Sequence, residues 1–389
     1  MKKIVLSAVA IAMMATAATA STSSELKELK AQMAAMAEKI AQLEAKQVKA
    51  TEAIEVQKVE NASQLTSKSP VIELSGKHYL GFVSDNADDT NEFETRRNYL
   101  QVKGFFEDNP KNYFRITLDT FQNTGETDAE DGDSWEVRLK YAYLYLDNVL
   151  PYTGVEIGQS HRPWIDYEEH GGWNYRSISK VFVEADEGAH LTNSADLGVN
   201  FKTKMPHFSS ELGLFNGEGY HDLENGDGLS AEWRLTGHLL GTGKEKRKDD
   251  MTYADISFFG QWNDESNKHK NEDLNWYGMH AVYNQPEFLV AAQYVSTEDA
   301  NAKYAGDGWS VNGEFRLATL SKSMKDYGII GRYDSWDLDN YTEKERRRTI
   351  AGLTYQYNKY VEFIANYMNE EIDGTDETDA FMLTTEVNW

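Results

Sequence analysis

Charged side chains recur on one side of short alternating patterns through most of this 389-residue chain. Arg97, Lys103, Arg115, Arg138, Arg234, Arg316 and Arg332 fall on the polar side of such patterns, together with Asp119, Asp196, Glu314 and Asp334. A guanidinium keeps its charge at any physiological pH, and its planar fork matches a carboxylate or a phosphate. Fixed charges of both signs on one face of successive strands act by setting a field across a water-filled passage, a chemistry in which no bond is made. The plainer reading is that these arginines satisfy carboxylates of a wall.

A second group lies in residues 159–195, the longest stretch without clean alternation. It holds Arg162, Trp164, Asp166, Tyr167, Glu168, Glu169, His170, Trp173, Tyr175 and Arg176. A loop of this length in a compact domain is a functional element or a plug. Folded inward, it narrows a pore and places charges where water is scarce and their field is strong. An outward-facing surface loop is the other reading. Neither group has the marks of an active site. No serine or histidine is singled out as a nucleophile with its base, and Glu168-Glu169-His170 lacks a second ligand one helical turn away. The run Asp128 to Asp133 lacks the bidentate glutamate of a calcium loop. No enzyme activity, metal or cofactor is expected.

The elements that must position these residues read as strands. From Val71 the pattern has period two: Phe114, Ile116 and Leu118 alternate with Arg115, Thr117 and Asp119, and Trp233, Leu235 and Leu239 with Arg234, Thr236 and His238. Trp309, Val311, Gly313, Phe315 and Leu317 likewise oppose Ser310, Asn312, Glu314 and Arg316, and Leu100, Val102, Gly104 and Phe106 oppose Arg97, Tyr99, Gln101 and Lys103. About fifteen such segments precede the last one, and outer-membrane barrels carry an even strand count, so sixteen are predicted. The turns include short ones at Glu107–Pro110, Met205–His207 and Asn284–Pro286, and long acidic ones at Asp85–Glu92, Asn123–Asp133, Gly217–Gly228 and Asn263–Asp273. Short turns on one side and long loops on the other is the outer-membrane arrangement. The fold class is therefore all-β, a transmembrane antiparallel barrel over 71–389 with the 159–195 loop turned inward, behind an N-terminal helical coiled coil.

Upstream of the barrel, Met1-Lys2-Lys3, the apolar run from Ile4 to Ala18 and Ala18-Thr19-Ala20 compose a signal peptide cleaved near Ala20. Leu26, Leu29, Met33, Met36, Ile40, Leu43, Gln47, Ala50 and Ile54 fall at alternating three- and four-residue spacings, the seam of a coiled coil within 21–60. Residues 61–70 are a polar linker. The formal charge is −25, and residues 71–389 hold 57 of the 64 acidic but only 30 of the 39 basic residues. That excludes nucleic acid as a partner and predicts a pore that concentrates cations. Mean hydropathy is −0.64, which a barrel tolerates because lipid- and water-facing residues average out. Twenty-two tyrosines and nine tryptophans suit aromatic girdles at the two interfaces.

The chain ends on Phe381, Leu383, Thr385, Val387 and Trp389, one face of a strand closing on an aromatic ring. This is similar to the terminal signature that the barrel assembly machinery reads. Phe93-Glu94-Thr95-Arg96-Arg97-Asn98-Tyr99-Leu100, Tyr113 to Asp119, Gly158-Gln159-Ser160-His161-Arg162-Pro163-Trp164 and Leu353 to Asn358 resemble the O and P porins, a family named for phosphate selectivity. The resemblance implies a sixteen-stranded trimer whose third extracellular loop enters the lumen.

The expected function is passive diffusion of small hydrophilic solutes or ions through an outer-membrane homotrimer embedded in lipid, favouring cations. An anion or phosphate channel built on the arginines is one alternative. A structural tether is the other, in which the coiled coil holds the outer membrane to the cell wall.

Overall fold

The computed structural model describes residues 38–39, 71–123, 134–186, 188–221, 228–263, 273–301, 303–339 and 345–389. The chain divides into two units, Met1–Ser69 and Pro70–Trp389. In the first, Glu38 and Lys39 are helical. The rest of that unit, with the expected signal peptide, coiled coil and linker, lies outside the described residues. No described helix is long and apolar enough to cross a membrane.

The second unit is a closed antiparallel barrel of sixteen strands, each paired with its sequence neighbours, and the first with the last. In order they are β1 Val71–Asp85, β2 Thr90–Phe105, β3 Tyr113–Asn123, β4 Ser134–Leu150, β5 Thr153–His161, β6 Ala195–Lys204, β7 Phe208–Phe215 and β8 Ser230–Leu240. The second half comprises β9 Tyr253–Asn263, β10 Asn275–Gln285, β11 Phe288–Asp299, β12 Gly306–Arg316, β13 Tyr327–Leu338, β14 Glu345–Asn358, β15 Val361–Ile372 and β16 Thr375–Asn388. Closure leaves no strand edge unpaired, the condition for a sheet in lipid. The seam runs Lys77 opposite Asn388 to Asp85 opposite Ala380, and Gly76 and Trp389 exchange backbone bonds of 2.9 and 3.1 Å beyond it.

Alternation sorts the side chains as the sequence predicts. Leu100, Phe114, Leu197, Leu235, Phe315 and Leu383 point outward and are exposed, while Thr117, Asp119, Asn200, Thr236, Ser310 and Asp334 point inward and are buried. Apolar outside and polar inside is the reverse of a water-soluble domain and fits a cylinder standing in lipid.

Two β-bulges reset this alternation on the inner wall. Tyr79 pairs with Arg97 and Leu80 with Thr95, leaving Arg96 as the extra residue. Thr117 pairs with Tyr141 and Leu118 with Leu139, leaving Lys140 as the extra residue. An extra residue lets consecutive side chains share a face. Arg96 and Arg97 both reach the lumen, as do Arg138, Lys140 and Tyr141.

Three expectations are corrected. Asp85–Glu92 is no long loop: the strands continue to Asp85 and resume at Thr90. The Asp85 carboxylate accepts the Ala87 N–H at 2.9 Å and Asp89 takes a positive φ of 54°, a turn chemistry that short acidic residues favour. The two sides do not divide cleanly into short and long. On the side of the barrel ends Val71 and Trp389, the connections 151–152, 205–207, 286–287 and 359–360 are tight, but 106–112, 241–252 and 317–326 are not. Phe106 and Leu317 lie beyond the strands assigned to them, and Leu317 is buried in a 3-10 turn, Leu317–Thr319.

Candidate functional site

The connection from β5 to β6, residues 162–194 and hereafter L3, is the third on the side opposite the barrel ends. It starts with a short helix, α1 (Ile165–Glu169), and packs on the inner wall. Its apolar residues form a dry core with the inner wall. Ile165, Trp173, Phe182, Val183 and Leu191 pack with Phe259, Trp276, Val295, Trp336, Ile350 and Ile364 of β9 to β15. The Trp164 and Phe259 rings stack at 3.6 Å between centroids, 4° from parallel. Each large side chain so buried contributes about 1.5–3 kcal/mol, enough to hold the segment against the wall. Polar wall groups finish the docking: the Arg332 guanidinium donates to the Lys180 carbonyl at 2.9 Å, Asn312 to the Gly172 carbonyl at 2.7 Å and Arg96 to the Ser177 carbonyl at 3.0 Å.

L3 therefore fills the β9 to β15 flank, reaches β2 through Arg96, and leaves a cavity of about 490 Å³ beside β3 to β8. The expected site residues divide along that line. Arg162 is buried at the root of L3, donating to Glu232 at 2.8 Å and to Gln261 at 3.2 Å. Glu168 turns toward the wall, accepting from Gln293. Burial pushes its carboxyl up to about 7, against the lowering pull of Arg332. Arg332 is locked to Asp334 at 2.8 Å. These three sit in the docked interface and away from the open passage. Arg316 pairs with Glu314 at 3.0 Å near the barrel-end side, and Arg234 with Glu211 at 3.1 Å.

The open flank holds the rest. Arg138 pairs with Asp119 at 3.1 Å. Arg97 lies over the Tyr99 ring at 5.0 Å and Lys103 over Tyr113 at 5.4 Å. Arg115 lies over Tyr141 at 4.7 Å and donates to the Tyr143 hydroxyl at 3.3 Å, and its guanidinium lies 3.1 Å from His161 Nε2. Among the described residues no carboxylate lies within 4 Å of the charged nitrogens of Arg97, Lys103, Arg115 or Lys140. Aromatic faces hold these cations, an arrangement worth ~0.5–2 kcal/mol each. Facing them, α1 presents Asp166 and Glu169. Burial alone would raise the Asp166 carboxyl, but the charges of His161, Lys202, His170 and Arg115 hold it well below the usual carboxylate range. Glu169 shares Arg176 with Glu184.

Three features escaped the sequence. Lys140 and Arg96 reach the lumen through bulges. Lys202 is buried between Glu156 at 3.3 Å and Glu211 at 3.2 Å. The connection 241–252 also enters the barrel mouth. The signal for the last was present: Lys244, Lys246, Arg247 and Lys248 make a basic run in an acidic chain.

No family model matches the chain. Among curated relatives, the outer membrane porin protein OmpD of Salmonella typhimurium strain LT2 is 22% identical over 365 residues, covering 84% of this chain and 92% of the relative. The chain is an outer-membrane β-barrel of porin type. Solved structures share the fold at low identity. A loop-deletion mutant of the outer membrane protein OmpT of Vibrio cholerae superposes with a TM-score of 0.58 at 12% identity, over 82% of this chain and 99% of that one. OprB of Pseudomonas putida gives 0.57 at 10%, over 82% and 94%. OmpT in its trimer form gives 0.55 at 11%, over 83% and 100%.

Proposed function

We propose that this porin-type barrel is a passive diffusion channel for small hydrophilic solutes and ions, with its barrel ends toward the periplasm. One observation carries the reading: L3 docks on one flank of a polar-lined cylinder and leaves on the other a charged cavity of about 490 Å³. Selectivity then comes from width and fixed charge, with no chemical step. Discrete single-channel steps in planar bilayers test the proposal, and purified, folded protein that gives no steps removes it.

The sign of selectivity depends on which field dominates. The formal charge of −25 favours cations, as expected from the sequence. A specific arrangement favours the anion alternative: Arg97, Lys103 and Arg115 have no carboxylate within 4 Å of their charged nitrogens among the described residues, while Asp119, Glu211 and Glu232 each have a basic partner. Charges act most strongly where water is least, so the narrow section outweighs the acidic mouth. The expected reversal potential in a KCl gradient is anion-favouring, and a cation-favouring sign restores the reading from formal charge.

A homotrimer is proposed by analogy with the trimeric OmpT form of the same fold, and mass measurement in detergent tests it. Insertion by the barrel assembly machinery fits the outward Phe381, Leu383 and Val387 and the terminal Trp389. A tether from residues 21–60 to the cell wall remains a separate proposal. Deleting residues 25–65 tests it, through loss of cell-wall co-sedimentation with conductance retained.

A further inference from the structure

The connection 241–252 joins β8 to β9 on the barrel-end side, where four other connections are only two or three residues long. It is held inside the mouth. Arg247 pairs with Asp255, which is buried on the lumen face of β9, and donates to the Thr242 carbonyl at 3.0 Å, closing the segment on itself. Asn284 of β10 donates to the Met251 carbonyl at 2.6 Å, and Arg316 of β12 to the Asp249 carbonyl at 3.0 Å. The segment is thus a strap pinned across strands β9 to β12. It approaches L3 from the opposite end of the barrel through Arg247, whose Cγ would lie 3.7 Å from a Cβ on Gly171, and beside it the Tyr253 hydroxyl of β9 donates to the Gly171 carbonyl at 3.3 Å.

Between L3 and this strap lies a cavity of about 490 Å³. Three of its carboxylates have basic partners, since Glu156 and Glu211 share Lys202, Glu211 also takes Arg234, and Asp166 lies 3.8 Å from Lys202, while Glu245 of the strap lines it between Lys244 and Lys246. Its cations are in excess. Arg115, Lys204, Lys244 and Lys246 line it with no carboxylate in ion-pair reach among the described residues. Tyr113 and Tyr145, stacked at 5.1 Å, add aromatic surface and phenol hydroxyls to the same wall. Excess positive charge selects an anion, and tyrosine faces with hydroxyls suit a polyhydroxylated carbon skeleton.

We propose that this cavity is a binding chamber for a hydroxylated organic carboxylate of about hexose size, with Lys244 and Lys246 of the strap and Arg115 of the wall holding its carboxylate. The inference rests on the channel reading and names the solute class that pauses in the passage.

Gluconate is the probe, glucose its uncharged counterpart and inorganic phosphate the competing anion. With the full-length channel in bilayers, gluconate on the barrel-end side is expected to interrupt the chloride current at millimolar concentration, and glucose is not. The double variant K244Q/K246Q should raise the half-blocking concentration at least tenfold relative to its own open current. K303Q, on an exposed loop of the opposite side, should leave it unchanged. Equal block in wild type and K244Q/K246Q, equal block by glucose, or stronger block by phosphate overturns the proposal. If the folded protein conducts nothing, the channel reading is what fails, and calorimetric titration of gluconate in detergent still reads the chamber. Binding weakened tenfold by K244Q/K246Q supports it, and unchanged or absent binding overturns it.

Discussion

Glu168 shows how one residue in a charged loop acquires a role that its type does not announce. It stands between Asp166, whose carboxyl faces the passage, and Glu169, which pairs with Arg176. The helical turn points Glu168 at Gln293 and the dry side of L3. With its carboxyl raised to about 7, the folded protein keeps a proton that the unfolded chain releases above ~4.5. The folded state binds more protons in that window, so stability is full below it, falls as pH rises through it, and the whole penalty stands above pH 7. The ceiling is about 3 kcal/mol. Thermal melts in detergent should therefore shift downward between pH 5 and 8 in the wild type. E168Q, which keeps an oxygen toward Gln293 and removes the charge, should flatten that shift. An equal slope in both would place the pH dependence elsewhere. Arg115 makes the complementary case, a cation held by rings and hydroxyls. R115Q is expected to move the reversal potential toward cation preference, and no movement would show that the wall cations do not set the field.

At the scale of elements, L3 is a separately docked body inside the barrel, and its hold is hydrophobic. Trp173 and Phe182 are each nearly inaccessible, and truncating such a side chain to alanine costs ~3–5 kcal/mol. W173A or F182A should leave the barrel intact, since the strand ladder does not involve them, but release L3. Larger, noisier openings and protease cleavage within 162–194 are the expected readouts. The bulge in β2 gives a sharper test of strand logic. Removing Arg96 restores regular pairing, with Glu94 and Arg97 both still inward. Removing Leu100 shifts the period by one and sends apolar side chains to the lumen. The Arg96 deletion should therefore assemble into a heat-modifiable barrel on gels, while the Leu100 deletion should not. Assembly of both would mean that register is set elsewhere.

At the scale of the whole molecule, closure joins β1 to β16, the most distant strands in sequence. Trp389 stands at that seam, exchanging backbone bonds with Gly76 and placing its indole N–H 3.0 Å from His78. Its ring lies over Gly76, where a Cβ would come within 2.4 Å of it. Deleting Trp389 removes the last rung and its interfacial ring together. Membrane fractions should then contain less folded barrel, read by the same gel shift, and G76V should do likewise by displacing the ring. Unchanged yield in both would leave the terminal rung without a part in assembly.

Alternation along each strand follows from the pleat, so strand count and the inward and outward faces were legible in the residues alone. So was the character of the lumen, because charged residues at period two cannot face lipid. Pairing partners were not legible, because they depend on which strands lie side by side. That is why Arg162, Glu168 and Arg332 read as passage residues and fold into the docked interface instead. The bulges at Arg96 and Lys140 were hidden for the same reason, since an extra residue shows only against a partner strand. The strap 241–252 shows in sequence only as a basic run, with nothing to say where it lies. Only closure of the cylinder puts Asp255, Asn284 and Arg316 around a single mouth, where they draw its backbone inward against L3.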